Sequence, residues 1–192
     1  TQLSTKGLIG GGEGVDRNFA PDCLLADGQT VTAECGEIVA LHTPGHMGNH
    51  LCFKWKDAVF SGDHVMGWAS SLVSPPDGDL TDFMASCVKL QALDTKIFYP
   101  AHGAPITHPG KRLAWLVDHR LNRENQILAA LGKHPKTPQD LTNDIYKDTP
   151  SSLRAAAERN VFAHLVDLLQ RKKIAVQGPL AIDAFFCETE AK

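Results

Sequence analysis

Three of the nine histidines of the chain, His42, His46 and His50, lie within nine residues. On a helix their side chains would share one face at i, i+4 and i+8, as in a helix-borne zinc site. Pro44 and Gly45 exclude a helix here, because proline lacks a backbone donor and glycine favours turn conformations. The sequence therefore predicts a turn that presents imidazoles between two strands.

Four short apolar runs predict the strands that position these and other polar groups. The runs cover residues 37–41, 51–55, 58–61 and 97–99. The third ends in Gly62-Asp63-His64 and the fourth in Pro100-Ala101-His102. Imidazole and carboxylate groups on stiff strand ends, without cysteine, suit zinc, manganese or iron. The pattern thus predicts a metal-binding edge of a sheet.

Three motifs, in order, resemble the third to fifth motifs of the metallo-β-lactamase-fold hydrolases: HTPGH at 42–46, FSGDHVMG at 60–67 and YPAHG at 99–103. The resemblance implies that His46 and His102 each bind a metal ion and that Asp63 bridges two divalent ions, with zinc as the first choice. It implies that His50 lies beside the ligands and that Ser71 lies on a loop next to the cleft, where it could touch substrate. His42 and His64 have no ligand counterpart.

The first motif of that family, His-x-His-x-Asp-His, has no counterpart in the chain. It would supply the other ligands and the aspartate expected to act as general base, so the sequence names no catalytic acid or base. Three ligands shared between two metals leave each ion short of four, which predicts weak or absent metal binding by this chain alone. We expect either the C-terminal part of a longer hydrolase, inactive by itself, or a protein whose site has decayed.

Without its first part, such a fold would leave apolar sheet surface or a sheet edge open. The expected partners are therefore a second copy of the chain or the missing N-terminal part, in addition to a small-molecule or RNA substrate. The fold class expected is α/β: the C-terminal half of a metallo-β-lactamase αββα sandwich over 1–120, followed by a small winged-helix domain over 121–192.

The winged helix is predicted from helix signals in the second half of the chain. A long helix is expected over 111–131, and two more after the Thr-Pro pairs at 137–138 and 149–150, where threonine would be the N-cap and proline the first helical residue. The last helix should bury Leu153 and His164, with the histidine hydrogen-bonded in the core. A hairpin over 174–186 completes the pattern. It resembles the winged-helix domain of the branch related to lactamase-beta-2-like endoribonucleases.

Composition and charge argue against several classes of protein. The net charge of −3 argues against a general polyanion binder, and no apolar stretch is long enough for a membrane span. Five cysteines without CxxC spacing suggest reduced thiols in a cytoplasmic protein. Residues 1–36 are turn-rich, and the glycine run between Gly7 and Gly14, which lacks nucleotide-loop spacing, is predicted to be a mobile loop.

Two functions follow as hypotheses. The first is a dinuclear hydrolase of an ester, thioester, lactone or phosphodiester. The alternative is a winged-helix module that binds nucleic acid or dimerises, with a vestigial metal domain. Because the basic residues of the winged helix are scattered, we favour an architectural role for it over nucleic-acid binding.

Overall fold

The computed structural model describes residues 18, 20–132 and 134–189. Their secondary structure, in chain order, is β1 (Thr30–Ala33), β2 (Gly36–His42), β3 (Leu51–Trp55), β4 (Ala58–Gly62), α1 (Leu80–Gln91), β5 (Ile97–Pro100), α2 (Pro109–Leu131), α3 (Pro138–Ile145), α4 (Ser151–Gln170), β6 (Ile174–Gln177) and β7 (Phe185–Glu188). The strands and helices predicted from apolar periodicity are all present. None of the described helices is long and apolar enough to cross a membrane.

The first five strands form one mixed sheet in the order β1-β2-β3-β4-β5. Neighbouring strands are antiparallel except β4 and β5, which are parallel and joined through α1. Strands β2, β4 and β5 therefore run in the same direction and end at the same edge of the sheet. The residues after these three strands are those predicted to bind metal.

One face of the sheet packs against α1 and the first half of α2. Leu41, Cys52, Val59 and Phe98 point into this core, where they meet apolar side chains of both helices. Asp79 is the N-cap of helix α1 and accepts a hydrogen bond from the backbone N–H of Asp82. This packing orders the loops that leave the strand ends.

A second core joins the end of α2 to α3, α4 and the β6-β7 hairpin. Thr137 caps α3 in a complete capping box with Asp140. Strands β6 and β7 pair antiparallel, and Phe186 of β7 also bridges to Lys136. Three helices followed by a hairpin form the predicted winged helix. The predicted domain boundary at 120–121 falls inside α2, and it stays a prediction.

Some predicted details are wrong. Residues 30–33 of the turn-rich segment form strand β1, which the sequence did not predict, while the loop predicted at the glycine run 7–14 lies outside the described residues. Helix α4 begins at Ser151 with Pro150 as its N-cap, and Thr149 makes no cap, so the predicted start lies one residue too early. Leu153, predicted to be buried, lies in the first turn of α4 and is 55% exposed.

His164 was predicted to be hydrogen-bonded in the core, and only its burial is confirmed. The side chain is 1% exposed, and neither ring nitrogen has a hydrogen-bond partner within the part of the chain that the structure describes. Burial, together with the charge of Arg120 nearby, holds the pKa of His164 well below its ordinary value. The imidazole is therefore neutral in the fold at neutral pH.

The substitution His164→Leu tests this. Unfolded His164 takes up a proton below about pH 6.5 and the folded form does not, so the free energy of unfolding falls by about 1.4 kcal/mol per pH unit below that value. The variant removes this slope and, because it removes two unpaired polar atoms, raises stability at pH 7 by about 1 kcal/mol. Urea unfolding at pH 7 and pH 5 measures both effects.

The matched control is His134→Leu, at an exposed position. It should change the free energy of unfolding at pH 7 by no more than about 0.5 kcal/mol. Two results would contradict this assignment. The free energy of unfolding of His164→Leu at pH 7 could fall by more than about 2 kcal/mol, or its dependence on pH could equal that of the wild type.

Candidate metal centre

The loop between β2 and β3 is fixed on α1 by close backbone packing. Gly45 has φ +132°, and a side chain there would overlap the backbone of Phe83. The Gly45 carbonyl accepts a hydrogen bond from the Asp79 N–H at 2.9 Å, and the Ser86 hydroxyl donates to the Pro44 carbonyl at 2.8 Å. The Pro-Gly pair thus sets the position of the next residue, His46.

His46 is held in one tautomer. Its Nδ1 lies 2.6 Å from the carbonyl oxygen of Leu72. Because a carbonyl only accepts, Nδ1 carries the proton, and in the neutral ring Nε2 keeps a free lone pair. A backbone carbonyl on one ring nitrogen is the usual way in which proteins orient a histidine whose other nitrogen binds a metal.

Asp63 and His102 meet across the ends of the parallel strands β4 and β5. Asp63 Oδ1 lies 3.7 Å from His102 Nε2, which is too long for a hydrogen bond. Oδ1 is buried and has no hydrogen-bond partner among the described residues. A buried carboxylate oxygen without a partner, beside an imidazole nitrogen, fits a cation bound between them.

The three predicted ligands are not assembled into one cluster. Within residues 18, 20–132 and 134–189, no group of three or more His, Cys, Asp or Glu side chains is placed to hold one ion. The structure brings Asp63 and His102 together and places His46 beside His50, with ring centroids 6.3 Å apart. The assignment of His46, Asp63 and His102 as ligands stays a prediction.

His50 lies in the interior next to the strand end that carries Asp63. Its Nδ1 is 2.9 Å from the Thr43 hydroxyl, and a side chain on Gly62 would lie 2.6 Å from its Nε2. Burial, with a smaller effect of nearby His46, lowers the pKa of His50 to about 4. His50 is thus a neutral ring that fills the space behind Gly62, and only glycine leaves room for it.

Ser71 is fully buried. Its hydroxyl lies within hydrogen-bond distance of the carbonyls of Asp63 and His64. Since a hydroxyl has one proton, it donates to one of them at a time. The structure therefore gives Ser71 contacts that hold the loop of Asp63 in place.

The two remaining histidines of these motifs have other contacts. His42 is exposed, with Nε2 2.9 Å from the Gly48 carbonyl. His64 is fully buried with its ring 4.6 Å from that of Phe83, and burial lowers its pKa to about 3.

Arg120 is a residue of this region that the motifs did not indicate. It is 3% exposed, and its guanidinium donates to the carbonyl of Ser71 at 2.5 Å and to Asn160 Oδ1 of α4 at 3.0 Å. Burial lowers the pKa of Arg120 to about 10, so it stays charged at neutral pH. Its spacing from Leu113, Leu116 and Ile127 on the buried face of α2 is the sequence signal that could have found it.

Comparison with known proteins identifies the fold. Residues 137–179 match the family described as beta-lactamase associated winged helix domain. A metallo-beta-lactamase family protein from Thermus thermophilus superposes with a TM-score of 0.75 at 25% identity, over 86% of this chain and 54% of that chain. The chain is a metallo-β-lactamase-fold protein with a C-terminal β-lactamase-associated winged helix. Its five-stranded sheet with α1 and α2 corresponds to part of that fold.

Among curated relatives, a Beta-lactamase-like protein 2 homolog from Caenorhabditis elegans is 34% identical over 152 residues, which are 78% of this chain and 49% of the relative. An Atrochrysone carboxyl ACP thioesterase from Aspergillus fumigatus is 37% identical over 109 residues, 56% of this chain and 33% of the relative. The chain spans about half the length, or less, of these curated relatives.

The substitution Gly45→Ala tests the packing that positions His46. Both the positive φ and the overlap with Phe83 oppose a side chain, so we expect a loss of about 3 kcal/mol or more in the free energy of unfolding. Gly110→Ala is the matched control, because α2 leaves open space there and alanine stabilises a helix by up to about 1 kcal/mol. Chemical denaturation measures the free energy of unfolding of both variants. Equal changes in Gly45→Ala and Gly110→Ala would refute the packing constraint at Gly45.

Proposed function

We propose that this chain supplies one side of the site of a metal-dependent hydrolase. The observation that carries the proposal is the buried, unpartnered Oδ1 of Asp63 beside Nε2 of His102. His46 offers a third ligand atom for a metal ion, its Nε2, because Nδ1 is bonded to the Leu72 carbonyl. Carboxylate and imidazole donors of this type suit zinc and similar divalent ions.

Zinc bound at such a site would supply an activated water near neutral pH and polarise the bond to be cleaved. The residues of this chain would orient the ion: Asp63 and His102 by direct contact, and His46 through the nitrogen that its bond to Leu72 leaves free. The family resemblance implies two divalent ions, and because three donors cannot complete two four-ligand shells, the remaining ligands would come from the rest of the whole protein. We assign no proton-transfer residue to this chain.

A thioester is the substrate class that we favour over an ester, a lactone or a phosphodiester. The support is the thioesterase name of relatives that are 37% identical to this chain over 109 and 134 residues. The chain covers less than half of the length of these relatives. Catalysis is therefore proposed for the whole protein, and we expect this chain alone to be inactive.

Metal analysis tests the ligands directly. After mild dialysis we expect about two zinc ions in the whole gene product and nearly none in the 192-residue chain. Asp63→Asn and His102→Gln in the whole product should each remove at least one ion and abolish thioester hydrolysis. His42→Gln is the control, since His42 is exposed and bonded to Gly48. Full metal content in the Asp63→Asn variant would refute the proposed site.

We propose an architectural role for the winged helix rather than nucleic-acid binding. Several of its basic side chains already have partners: Arg171 pairs with Glu124 and Asp167, and Lys173 pairs with Glu124. Paired cations release few counterions on nucleic acid. The contacts of Arg120 with Ser71 and Asn160 give this domain a role in holding the loop after Asp63.

We further propose that the rest of the whole protein covers the sheet face opposite α1 and α2. Phe60 and Tyr99 stack on that face with centroids 5.5 Å apart and are 45% and 38% exposed. Phe53 pairs with Phe60 in the neighbouring strand and extends the aromatic row. Apolar rows of this kind normally pack against a second layer.

The substitution Phe60→Lys distinguishes a covered face from an open one. In the whole gene product it should cost about 3 kcal/mol, because a charge would be buried, whereas in the 192-residue chain the cost should stay within about 0.5 kcal/mol. Phe185→Lys, at another exposed aromatic side chain, is the control. Equal effects of Phe60→Lys in both proteins would refute the proposal, and stability of the chain that rises with its concentration would indicate a second copy instead.

A further inference from the structure

A cleft of about 720 Å³ lies beside the candidate metal centre, and none of the contacts described above uses it. It is formed by the loop after β4, the loop after β5 and the first two turns of α2. One wall includes Gly103, the residue that follows His102. The cleft therefore begins where the proposed metal-binding edge ends.

Two tryptophans line the cleft. The indole of Trp68 is 71% exposed and rests against Gly103, where a side chain would lie 2.8 Å from its Cδ1. Trp115 is 47% exposed, with the guanidinium of Arg112 4.3 Å from its ring centre. Large aromatic surfaces gathered in one cleft usually contact a ligand, because their exposure to water is unfavourable.

The charge of the cleft is positive although the chain carries a net −3. Lys111 and Arg112 line it, and no aspartate or glutamate is among its described lining residues. Arg112 donates to the carbonyls of Met66 and Ala69, both at 2.7 Å, which are neutral acceptors and leave its charge unbalanced. Lys111 forms no ion pair or side-chain hydrogen bond with any residue that the structure describes.

From this combination we infer that the cleft binds a flat aromatic ring that carries an anionic group. The ring would lie against the exposed indole of Trp68, and the carboxylate or phosphate would be paired by Lys111. The inference rests on the proposed function only for the position of the reacting bond, next to His102. It names the class of substrate: an aromatic acyl group or a nucleobase, each with a negative charge.

Titration calorimetry with the 192-residue chain tests binding without any need for hydrolysis. The probe is 2-naphthoate, in buffer with EDTA, so that a failure of the metal proposal does not affect the result. Three compounds serve as comparisons: decahydro-2-naphthoate removes the aromatic ring, 2-naphthamide removes the charge, and adenosine monophosphate replaces the hydrocarbon ring by a nucleobase.

We expect 2-naphthoate or adenosine monophosphate to bind at least fivefold more tightly than the saturated and the uncharged compounds. Which of the two binds better identifies the source of the ring. Trp68→Leu should weaken binding about tenfold through loss of ring contact. Lys111→Gln should weaken it severalfold and reduce its dependence on salt.

Phe185→Leu and Lys147→Gln are the controls, because both side chains are exposed outside the cleft. They should leave the affinity unchanged. Any one of three results would overturn the inference. The first is equal affinity for 2-naphthoate and its saturated analogue, and the second is binding that Trp68→Leu and Lys111→Gln leave unaffected in folded protein. The third is no binding of either aromatic anion.

Discussion

The parallel pairing of β4 with β5 is the constraint on which the candidate site depends. The two strands are joined through α1, so their carboxyl ends open onto one edge of the sheet and bring Asp63 to within 3.7 Å of His102. The same helix receives the Pro44-Gly45 turn against the backbone of Phe83. One helix thus helps to fix the ends of all three strands.

A buried cation, Arg120, links the winged helix to this edge, alongside hydrogen bonds from Val73 to Asn160 and from Thr81 to Asp167. Arg120 lies near the middle of α2, between the two hydrophobic cores, and contacts Ser71 on one side and Asn160 on the other. A buried guanidinium is costly unless its donors are paired, so the loop after Asp63 and helix α4 are held together by the need to satisfy it.

The strands and their polar ends could be predicted because their signals lie in adjacent residues. Alternating apolar residues indicate the strands, and Gly-Asp or Pro-Gly pairs indicate where the strands end. Thr137 was found as an N-cap for the same reason. Other features depend on contacts between distant residues: β1 forms only by pairing with β2, and the unpaired nitrogens of His164 follow from what surrounds α4. The tautomer of His46 likewise required the position of Leu72, 26 residues away.

The most direct test of the account is the protonation of the histidine rings, measured by two-dimensional 1H–15N nuclear magnetic resonance of the 192-residue chain at pH 8. We predict that His46 carries its proton on Nδ1 and that zinc in large excess, which this chain binds only weakly, shifts Nε2 of His46 and His102, while His42 is unaffected. A His46 ring protonated on Nε2, or zinc shifts confined to histidines outside this edge of the sheet, would contradict the proposed metal centre.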